Sequence, residues 1–361
     1  MKPIERLQAA VNFEEYDRPP FVDTDWTAVD IVPHFSGCKP DRNRRYSESD
    51  RVSAIRQSQD AIPFNRVYDG SYPVLGRIPT KRDGERFVRD GINYVVSGFT
   101  SWVEARPFSD AGGFINYLEK RINEIRGKSV DLPADFEEKI KYAKKMLGDT
   151  VIGYTFVPFF LDDLYRLAGW DILSSVIVDN PDLIAEYLST RADLSVRKIH
   201  MDVEYFKDCP FALIYSDIAF NGGLLLSPNF LRFALIPVVR KVVEALHEHE
   251  IKAIYHSEGD LTKIIDDLIE AGCEGINPLA PSEKMDAVRI REKYPNLVLW
   301  GGIDNTTVLH SGTTEEAESE VRRVVEGVGK GLIVASSGGV DPGCKLENCI
   351  AMAETMLRMG E

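Results

Sequence analysis

The chain has 361 residues, of which 44% are hydrophobic, and a formal net charge of −14 at pH 7. This length would allow two or three domains, although an α/β barrel often fills it as one. The acidic balance, with a pI near 5.0, argues against a nucleic-acid surface and against a polycarboxylate ligand that lacks a local basic patch. No apolar run approaches the ~20 residues that span a membrane, and no signal-peptide pattern opens the chain.

The cysteines indicate a reducing compartment. They are scattered, odd in number and free of any Cys-x-x-Cys pair, so no disulfide framework is expected. We therefore expect a cytoplasmic protein that binds neither membrane nor nucleic acid, and a homodimer is compatible with the sequence. The five are Cys38, Cys209, Cys273, Cys344 and Cys349.

The first hundred residues predict short, irregular elements. A short amphipathic helix precedes Arg18-Pro19-Pro20, and a first strand is predicted from Phe21 to Trp26. A helix is predicted from Glu48 to Gln59. Strand-like runs on either side of Asp90-Gly91 predict a β-hairpin.

From residue 112 onward, strand and helix patterns alternate. Parallel crossover connections follow from helices of this length between strands. Because no Gly-x-Gly-x-x-Gly loop is present, the pattern favours a single (β/α)8 TIM barrel over residues 1–361, with N-terminal helical and hairpin additions. The predicted strands are 150–156, 211–216, 251–255, 275–277, 297–300 and 331–335. The predicted helices are 112–127, 134–147, 160–177, 181–207, 227–249, 261–271, 313–327 and 347–359.

Polar side chains stand at the carboxyl ends of the predicted strands, which is where a barrel keeps its chemistry. A helix N-cap is the alternative for an isolated acid such as Asp217 or Asp304. A whole series of polar strand ends is better explained by an active-site mouth. The series comprises Asp23, Asp25, Asp217, His256, Glu258, Asn277, Asp304, Ser336 and Ser337.

His256 and Glu258 are two residues apart, so both side chains can lie on one side of an extended strand end. One interpretation is a metal site, with Cys344 or Asp217 as a third ligand. A second is a general acid–base pair in which Glu258 orients the imidazole. A third is a structural histidine beside a helix cap.

Aromatic residues at or just beyond the strand ends suggest an apolar pocket for a flat substrate. Trp26, Tyr68 and Phe156 are the candidate substrate contacts, together with Asn277 and Asp304. Ordinary barrel packing is an equally good explanation for any single aromatic residue.

The chain resembles the uroporphyrinogen decarboxylase superfamily from about residue 1 to 357, which implies the same barrel fold. The likeness rests on five motifs and on a histidine-bearing strand end at residues 256–259. The motifs are Arg18-Pro19-Pro20, Ser216-Asp217-Ile218-Ala219, Leu226-Ser227-Pro228-Asn229-Phe230, Gly301-Gly302-Ile303-Asp304 and Leu346-Glu347-Asn348.

The departures from the family pattern disfavour porphyrinogen decarboxylation. The arginine-rich segment of true decarboxylases is replaced here by residues 21–26, which are acidic. Their Phe-Ser-Asp is replaced by Phe64-Asn65-Arg66, with Asp69 nearby, and their C-terminal His-Gly by Gly338-Gly339.

The resemblance is closer to the corrinoid-dependent methyltransferases, whose zinc motif is His-x-Cys with a distant Cys. His256 matches the histidine, Glu258 stands at the first cysteine, and Gly338 falls on the distant one, six residues before Cys344. An oxygen ligand in place of thiolate suits an oxygen-containing substrate.

The resemblance therefore implies methyl transfer from a small methoxylated substrate to a separate corrinoid protein. His256, Glu258 and Asp217 would be catalytic, and His256, Glu258 and Cys344 would bind zinc. The alternatives are a divergent decarboxylase or lyase, and a barrel that has lost catalysis and serves as a binding protein.

Overall fold

A computed structural model describes residues 1–24, 26, 30–39, 46–64, 84–89, 91–97, 100–156 and 161–360. For residues 63, 64, 100, 155 and 156 it describes the backbone alone. The positions of Asp25, Tyr68 and Asp69 lie outside the described residues, as does the side chain of Phe156.

Helices and strands alternate along the chain as the sequence pattern predicts. The helices are α1 (Pro3–Asn12), α2 (Val32–Ser36), α3 (Glu48–Ser58), α4 (Ala111–Arg126), α5 (Phe136–Leu147), α6 (Leu161–Ala168), α7 (Trp170–Asp179), α8 (Pro181–Asp202), α9 (Pro228–Ala234), α10 (Ile236–His247), α11 (Ile265–Glu270), α12 (Ala287–Lys293), α13 (Thr314–Val328) and α14 (Leu346–Arg358). The strands are β1 (Ala61–Phe64), β2 (Arg86–Arg89), β3 (Ile92–Ser97), β4 (Thr100–Ala105), β5 (Val151–Phe156), β6 (Phe211–Tyr215), β7 (Ala219–Phe220), β8 (Gly223–Leu224), β9 (Lys252–His256), β10 (Gly275–Asn277), β11 (Val298–Ile303) and β12 (Leu332–Ser336). Short 3₁₀ turns lie at Val203–Tyr205 and Pro281–Glu283, and a π-helix at Asn305–His310.

Seven parallel strands form the main sheet, in the order β1-β5-β6-β9-β10-β11-β12. The segment around Phe21 lies between its two outer strands. Phe21 makes a parallel bridge with Val334 of β12, and its carbonyl accepts a hydrogen bond from the N–H of Asp60, next to β1. This segment therefore takes the eighth position in the ring. The predicted (β/α)8 barrel is confirmed.

The N-terminal end of the barrel is closed by α1. Leu7, Ala10 and Val11 of this helix are buried in one cluster with residues of the strands, including Phe211 and Trp300. The Trp300 indole N–H donates to the carbonyl of Val22. Because α1 and these apolar side chains close this end, an open site is left to the opposite, carboxyl end of the strands.

Three predicted elements are shorter than the sequence suggested. The strand predicted for residues 21–26 is reduced to the single bridge at Phe21, because the N–H of Asp23 donates to the side chain of Gln59 and not to a neighbouring strand. The helix predicted for 160–177 is interrupted at Gly169, whose φ is +77°. The helix predicted for 227–249 is interrupted before Pro237, because its ring clashes with the preceding helical turn.

The predicted hairpin is part of a separate three-stranded antiparallel sheet, β2-β3-β4. Arg89 pairs with Ile92 across the turn, where Gly91 has a φ of +78°. None of the helices in the described part of the chain combines the length and apolar character that a membrane crossing requires.

Candidate active site at the barrel mouth

His256 is the last residue of β9, and its side chain is held on two sides. The ring of Tyr215, at the end of the adjacent strand β6, stacks on the imidazole with 4.2 Å between ring centroids. On the other side, Asn277 of β10 places its Oδ1 2.5 Å from His256 Nδ1. The residue is 8% exposed, so the ring has little freedom to turn.

Asn277 determines which nitrogen of His256 carries the proton. Its Nδ2 donates to the carbonyl of Trp300 at 3.1 Å, so its Oδ1 is free only to accept. The Nδ1 of His256 must then be the donor, and the neutral imidazole keeps its lone pair on Nε2. Burial lowers the pKa of His256, and the charge of Asp217 and the hydrogen bond that His256 donates to Asn277 oppose this only partly. The ring is therefore expected to be neutral near pH 7.

Two carboxylates face the Nε2 lone pair. The Oδ1 of Asp217 lies 3.9 Å from Nε2, and the Oε1 of Glu258 lies 4.0 Å from it. Asp217 is fixed in place, because its Oδ1 accepts the N–H of Glu258 at 3.0 Å and its Oδ2 accepts the hydroxyl of Tyr215 at 3.0 Å. The three predicted catalytic residues are thus brought together.

Among the described residues, the acidic side chains at the mouth are not balanced by basic ones. Burial, with Glu283 and Asp217 nearby, raises the pKa of Glu258 to about 8. Glu283 accepts the N–H of Gly259 at 2.9 Å, and burial also raises its pKa. In the part of the chain that the structure describes, no Lys or Arg forms an ion pair with Asp217, Glu258 or Glu283. The site therefore favours either protons or a bound cation.

Asp162 adds a fourth acid from α6. Its side chain is fully buried; Oδ1 accepts the hydroxyl of Ser216 at 3.4 Å, and Oδ2 has no hydrogen-bond partner among the described residues. Burial, together with the charges of Asp163 and Asp217, raises its pKa to about 7. The strand-end rule missed Asp162, because this residue reaches the site from a helix. Glu283 was also missed, although the loop after β10 is where that rule would look.

Gly338 lies directly against Glu258. A Cβ built on Gly338 would be 2.5 Å from Glu258 Oε1, and the φ of +78° is one that L side chains rarely adopt. Position 338, which the resemblance places at the distant cysteine of the methyltransferases, therefore lies beside Glu258, and the carboxyl group occupies the space that a side chain at 338 would need.

Other predicted residues lie in different surroundings. Trp26 is 3% exposed, its ring packs edge-on against Phe21, and its N–H donates to the hydroxyl of Ser58. Both carboxylate oxygens of Asp304 accept backbone N–H groups, from Ser282 and Thr307. These contacts fit packing for Trp26 and loop positioning for Asp304.

Two further predicted residues lie near the carboxyl end of β12: Asp23 contacts its last residue, and Cys344 belongs to the loop that follows. Asp23 accepts both the N–H and the hydroxyl of Ser336, each at 2.8 Å. Cys344 groups with His310 and Asp341. Among the described residues, Cys344 does not form a three-ligand group with His256 and Glu258. The predicted metal set is therefore divided between two places.

Comparison with known proteins finds one matching family model and two similar methyltransferases. Residues 138–359 match uroporphyrinogen decarboxylase (URO-D). The protein described as "Methylcobamide:CoM methyltransferase MtbA" from Methanosarcina mazei is 23% identical over 216 residues, and that from Methanosarcina acetivorans is 22% identical over 216. Each match covers 59% of this chain and 60% of the relative.

A solved structure described as a methyltransferase from Methanosarcina mazei has a similar fold. It superposes with a TM-score of 0.68 at 17% identity, and the match covers 99% of both chains. At this identity the likeness shows the fold alone.

Proposed function

Because the chain belongs to the uroporphyrinogen decarboxylase (URO-D) family, we propose that it transfers a methyl group from a small methoxylated substrate to a separate corrinoid protein. The observation that carries the proposal is the fixed tautomer of His256, whose Nε2 lone pair faces the carboxylates of Asp217 and Glu258. The names of the two Methanosarcina relatives, both methylcobamide-dependent methyltransferases, support the methyl-transfer class.

The residues at the mouth fit a zinc ion. Tetrahedral ligands about 2.0–2.1 Å from zinc are about 3.4 Å apart, and the two carboxylate oxygens lie 3.9 and 4.0 Å from Nε2. Among the described residues, His256, Asp217 and Glu258 do not form a group of three with every donor atom within 4.8 Å, so the carboxylates of Asp217 and Glu258 would move towards each other when an ion binds. His256 and Glu258 would hold the ion, with Asp217 as the nearest third donor, and a cation would balance the unpaired acids. Zinc bound there would act as a Lewis acid on the ether oxygen of the substrate.

An oxygen ligand at position 258 favours an oxygen-bearing substrate. Thiolate ligands suit soft partners, whereas carboxylate makes the site harder. The excess of negative charge at the mouth also repels polycarboxylates, which argues against decarboxylation of a porphyrinogen. A neutral methyl ether offers a hard oxygen atom to this site and is not repelled by its negative charge.

The reaction requires a proton as well as a methyl acceptor. The C–O bond of the ether breaks, the methyl carbon passes without the bonding electrons to the reduced corrinoid of the acceptor protein, and the oxygen keeps the pair. That oxygen then takes a proton. With zinc held by Glu258, that proton would come from solvent; without zinc, Glu258, whose pKa burial raises to about 8, would be mostly protonated at neutral pH and would supply it. Asp217 is held by the hydroxyl of Tyr215 and the N–H of Glu258, and it keeps His256 and Glu258 in position.

The test is methyl transfer by the purified protein from a panel of methoxylated aromatic compounds to a reduced corrinoid protein, followed by the absorbance of the corrinoid. Methylation by the wild type and its loss in His256→Ala are expected. His34→Ala is the matched control, because His34 is a partly exposed histidine that pairs with Glu354. Absence of methylation with the whole panel, or full activity in His256→Ala, would contradict the proposal. Release of CO₂ from small acids without methyl transfer would point to the lyase alternative.

A further inference from the structure

A second cluster of ligand-type side chains lies outside the barrel mouth. It is formed by His310, at the end of the π-helix, and by Asp341 and Cys344, in the loop between β12 and α14. One ligand atom from each residue lies within 4.8 Å of the other two. Among the described residues, this is the one such group of three.

Hydrogen bonds fix this cluster in position. His310 Nε2 is 2.9 Å from Asp341 Oδ2, and Asp341 Oδ1 accepts the N–H of Gly343 at 2.6 Å. The backbone N–H of Cys344 donates to the carbonyl of Asp341 at 3.0 Å. A Cβ on Gly343 would be 2.7 Å from His310 Cε1, so a larger residue there would push the imidazole away.

The surrounding segments hold the two halves of the cluster together. The N–H of Lys345 donates to the carbonyl of Leu309 at 2.9 Å, and its Nζ donates to the carbonyls of Ser311 and Gly312. The side-chain amide of Asn348 donates to the carbonyl of Val308 and to two others at the end of the π-helix. The donor atoms are therefore positioned before any ligand arrives.

The donor set matches the chemistry of zinc. Thiolate, imidazole and carboxylate are the three protein ligands of Zn²⁺, which binds four ligands in tetrahedral geometry. Cys344 is 6% exposed, whereas His310 and Asp341 are partly exposed, so the ion has a route from solvent and a fourth position for water.

We propose that His310, Asp341 and Cys344 bind one divalent cation of the zinc class, at a site separate from the barrel mouth. The ion would join the π-helix to the loop that begins at β12. That same loop carries Gly338 against Glu258, so the bound ion would also hold one wall of the mouth. This site does not depend on the proposed methyl transfer.

Cobalt(II) titration of the chelator-stripped, reduced protein tests the site. Of the two proposed metal sites, the one at His310, Asp341 and Cys344 is the one with a sulfur ligand. One equivalent of Co²⁺ should produce a thiolate-to-cobalt charge-transfer band in the wild type and in His256→Ala. The band should be lost in Cys344→Ser and kept in Cys38→Ser, the matched cysteine control. No band in the wild type, or an undiminished band in Cys344→Ser, would overturn the proposal.

Two further measurements guard against a misfolded variant and against a reactive thiol. His310→Ala and Asp341→Asn change partly exposed residues, and each should weaken zinc binding, measured by chelator competition, by more than about tenfold. Zinc should also protect Cys344 from alkylation by iodoacetamide. Equal alkylation with and without zinc would show a free thiol and overturn the proposal. Loss of the mouth chemistry in His256→Ala, with the cobalt band intact, would separate the two sites.

Discussion

The two ends of the barrel differ in how their buried acidic side chains are paired. At the N-terminal end, Asp60 is 1% exposed and its carboxylate lies 2.9 Å from Arg6 Nη1 and 2.7 Å from Arg18 Nη1. It also accepts the N–H of Phe21 at 2.8 Å. The negative charge there is fully paired, and the pairing fastens the Phe21 segment, which takes the eighth position in the ring, beside β1.

At the carboxyl end, the acids face one another and a neutral histidine. Asp217, Glu258 and Glu283 lack an ion pair with Lys or Arg among the described residues, and one oxygen of Asp162 has no partner at all. Unpaired buried acids reduce stability, and such arrangements cluster at functional sites. The difference indicates that the acid at the N-terminal end is stabilised by ion pairs, whereas those at the mouth are not, as expected of the proposed active site.

The largest effect is expected from removing a partner at the N-terminal end. Arg18→Ala leaves a buried carboxylate with part of its compensation lost, and should lower the free energy of unfolding by about 3–5 kcal/mol, measured by urea denaturation. Methyl transfer per folded molecule should not change. Arg86→Ala, which removes an exposed partner of Glu104, should have a far smaller effect. Equal stability losses in both variants would mean that the N-terminal end is not specially stabilised.

At the mouth, Asn277→Ala tests whether an uncharged residue that positions His256 affects metal affinity or activity. Losing the partner of His256 Nδ1 frees the tautomer, and a change of this kind typically costs about 10–100-fold in metal affinity or activity. Nitrogen-15 NMR of the imidazole should show loss of the single Nδ1–H tautomer, which a purely structural role would not alter. Asn123→Ala, on an exposed face of α4, is the control. An unchanged tautomer in Asn277→Ala would count against the assignment.

Asp162→Asn should act in the opposite direction from Arg18→Ala. The folded pKa of Asp162 is raised to about 7 from the ordinary 3.8, so the folded state binds the proton more tightly than the unfolded one. The wild type therefore loses stability as the pH rises from about 4 to about 7. The variant lacks this loss and should be more stable at pH 8 by up to about 4 kcal/mol. If the free energies of unfolding of the two proteins changed in parallel across pH 4–8, the raised pKa of Asp162 would be contradicted.

The sequence predicted the fold and the spatial grouping of the candidate site residues because both follow from strand geometry. Parallel strands place their carboxyl ends on one edge, so Asp217, His256 and Asn277 could be grouped without knowing any contact. The same rule cannot tell a free carboxylate from one that caps a loop. Asp304 therefore looked equivalent to Asp217, although backbone N–H groups occupy both of its oxygens.

Residues that reach the site from other elements were beyond that rule. Asp162 comes from α6, and its sequence context, two acids in a first helical turn, is that of an ordinary helix start. Trp26 follows a strand end but is buried in the core. Cys344 is only six residues beyond Gly338, yet its contacts are with His310 and Asp341. Loop direction depends on local backbone geometry that residue spacing does not encode.

The smallest effect tests the contact between the two mouth residues that distinguish this chain from the methyltransferase pattern. Gly338→Ala should cost about 1–2 kcal/mol for its left-handed backbone, plus the displacement of Glu258, since the new Cβ would be 2.5 Å from Oε1. Gly84→Ala is the matched control, because Gly84 has a φ of +79° with nothing within 4 Å. The excess cost in Gly338→Ala should vanish when Glu258 is also changed to Ala, as urea denaturation of the double variant would show. An excess that persists without the Glu258 side chain would mean that the carboxylate does not fill the space beside Gly338, and the replacement of thiolate by carboxylate would lose its structural basis.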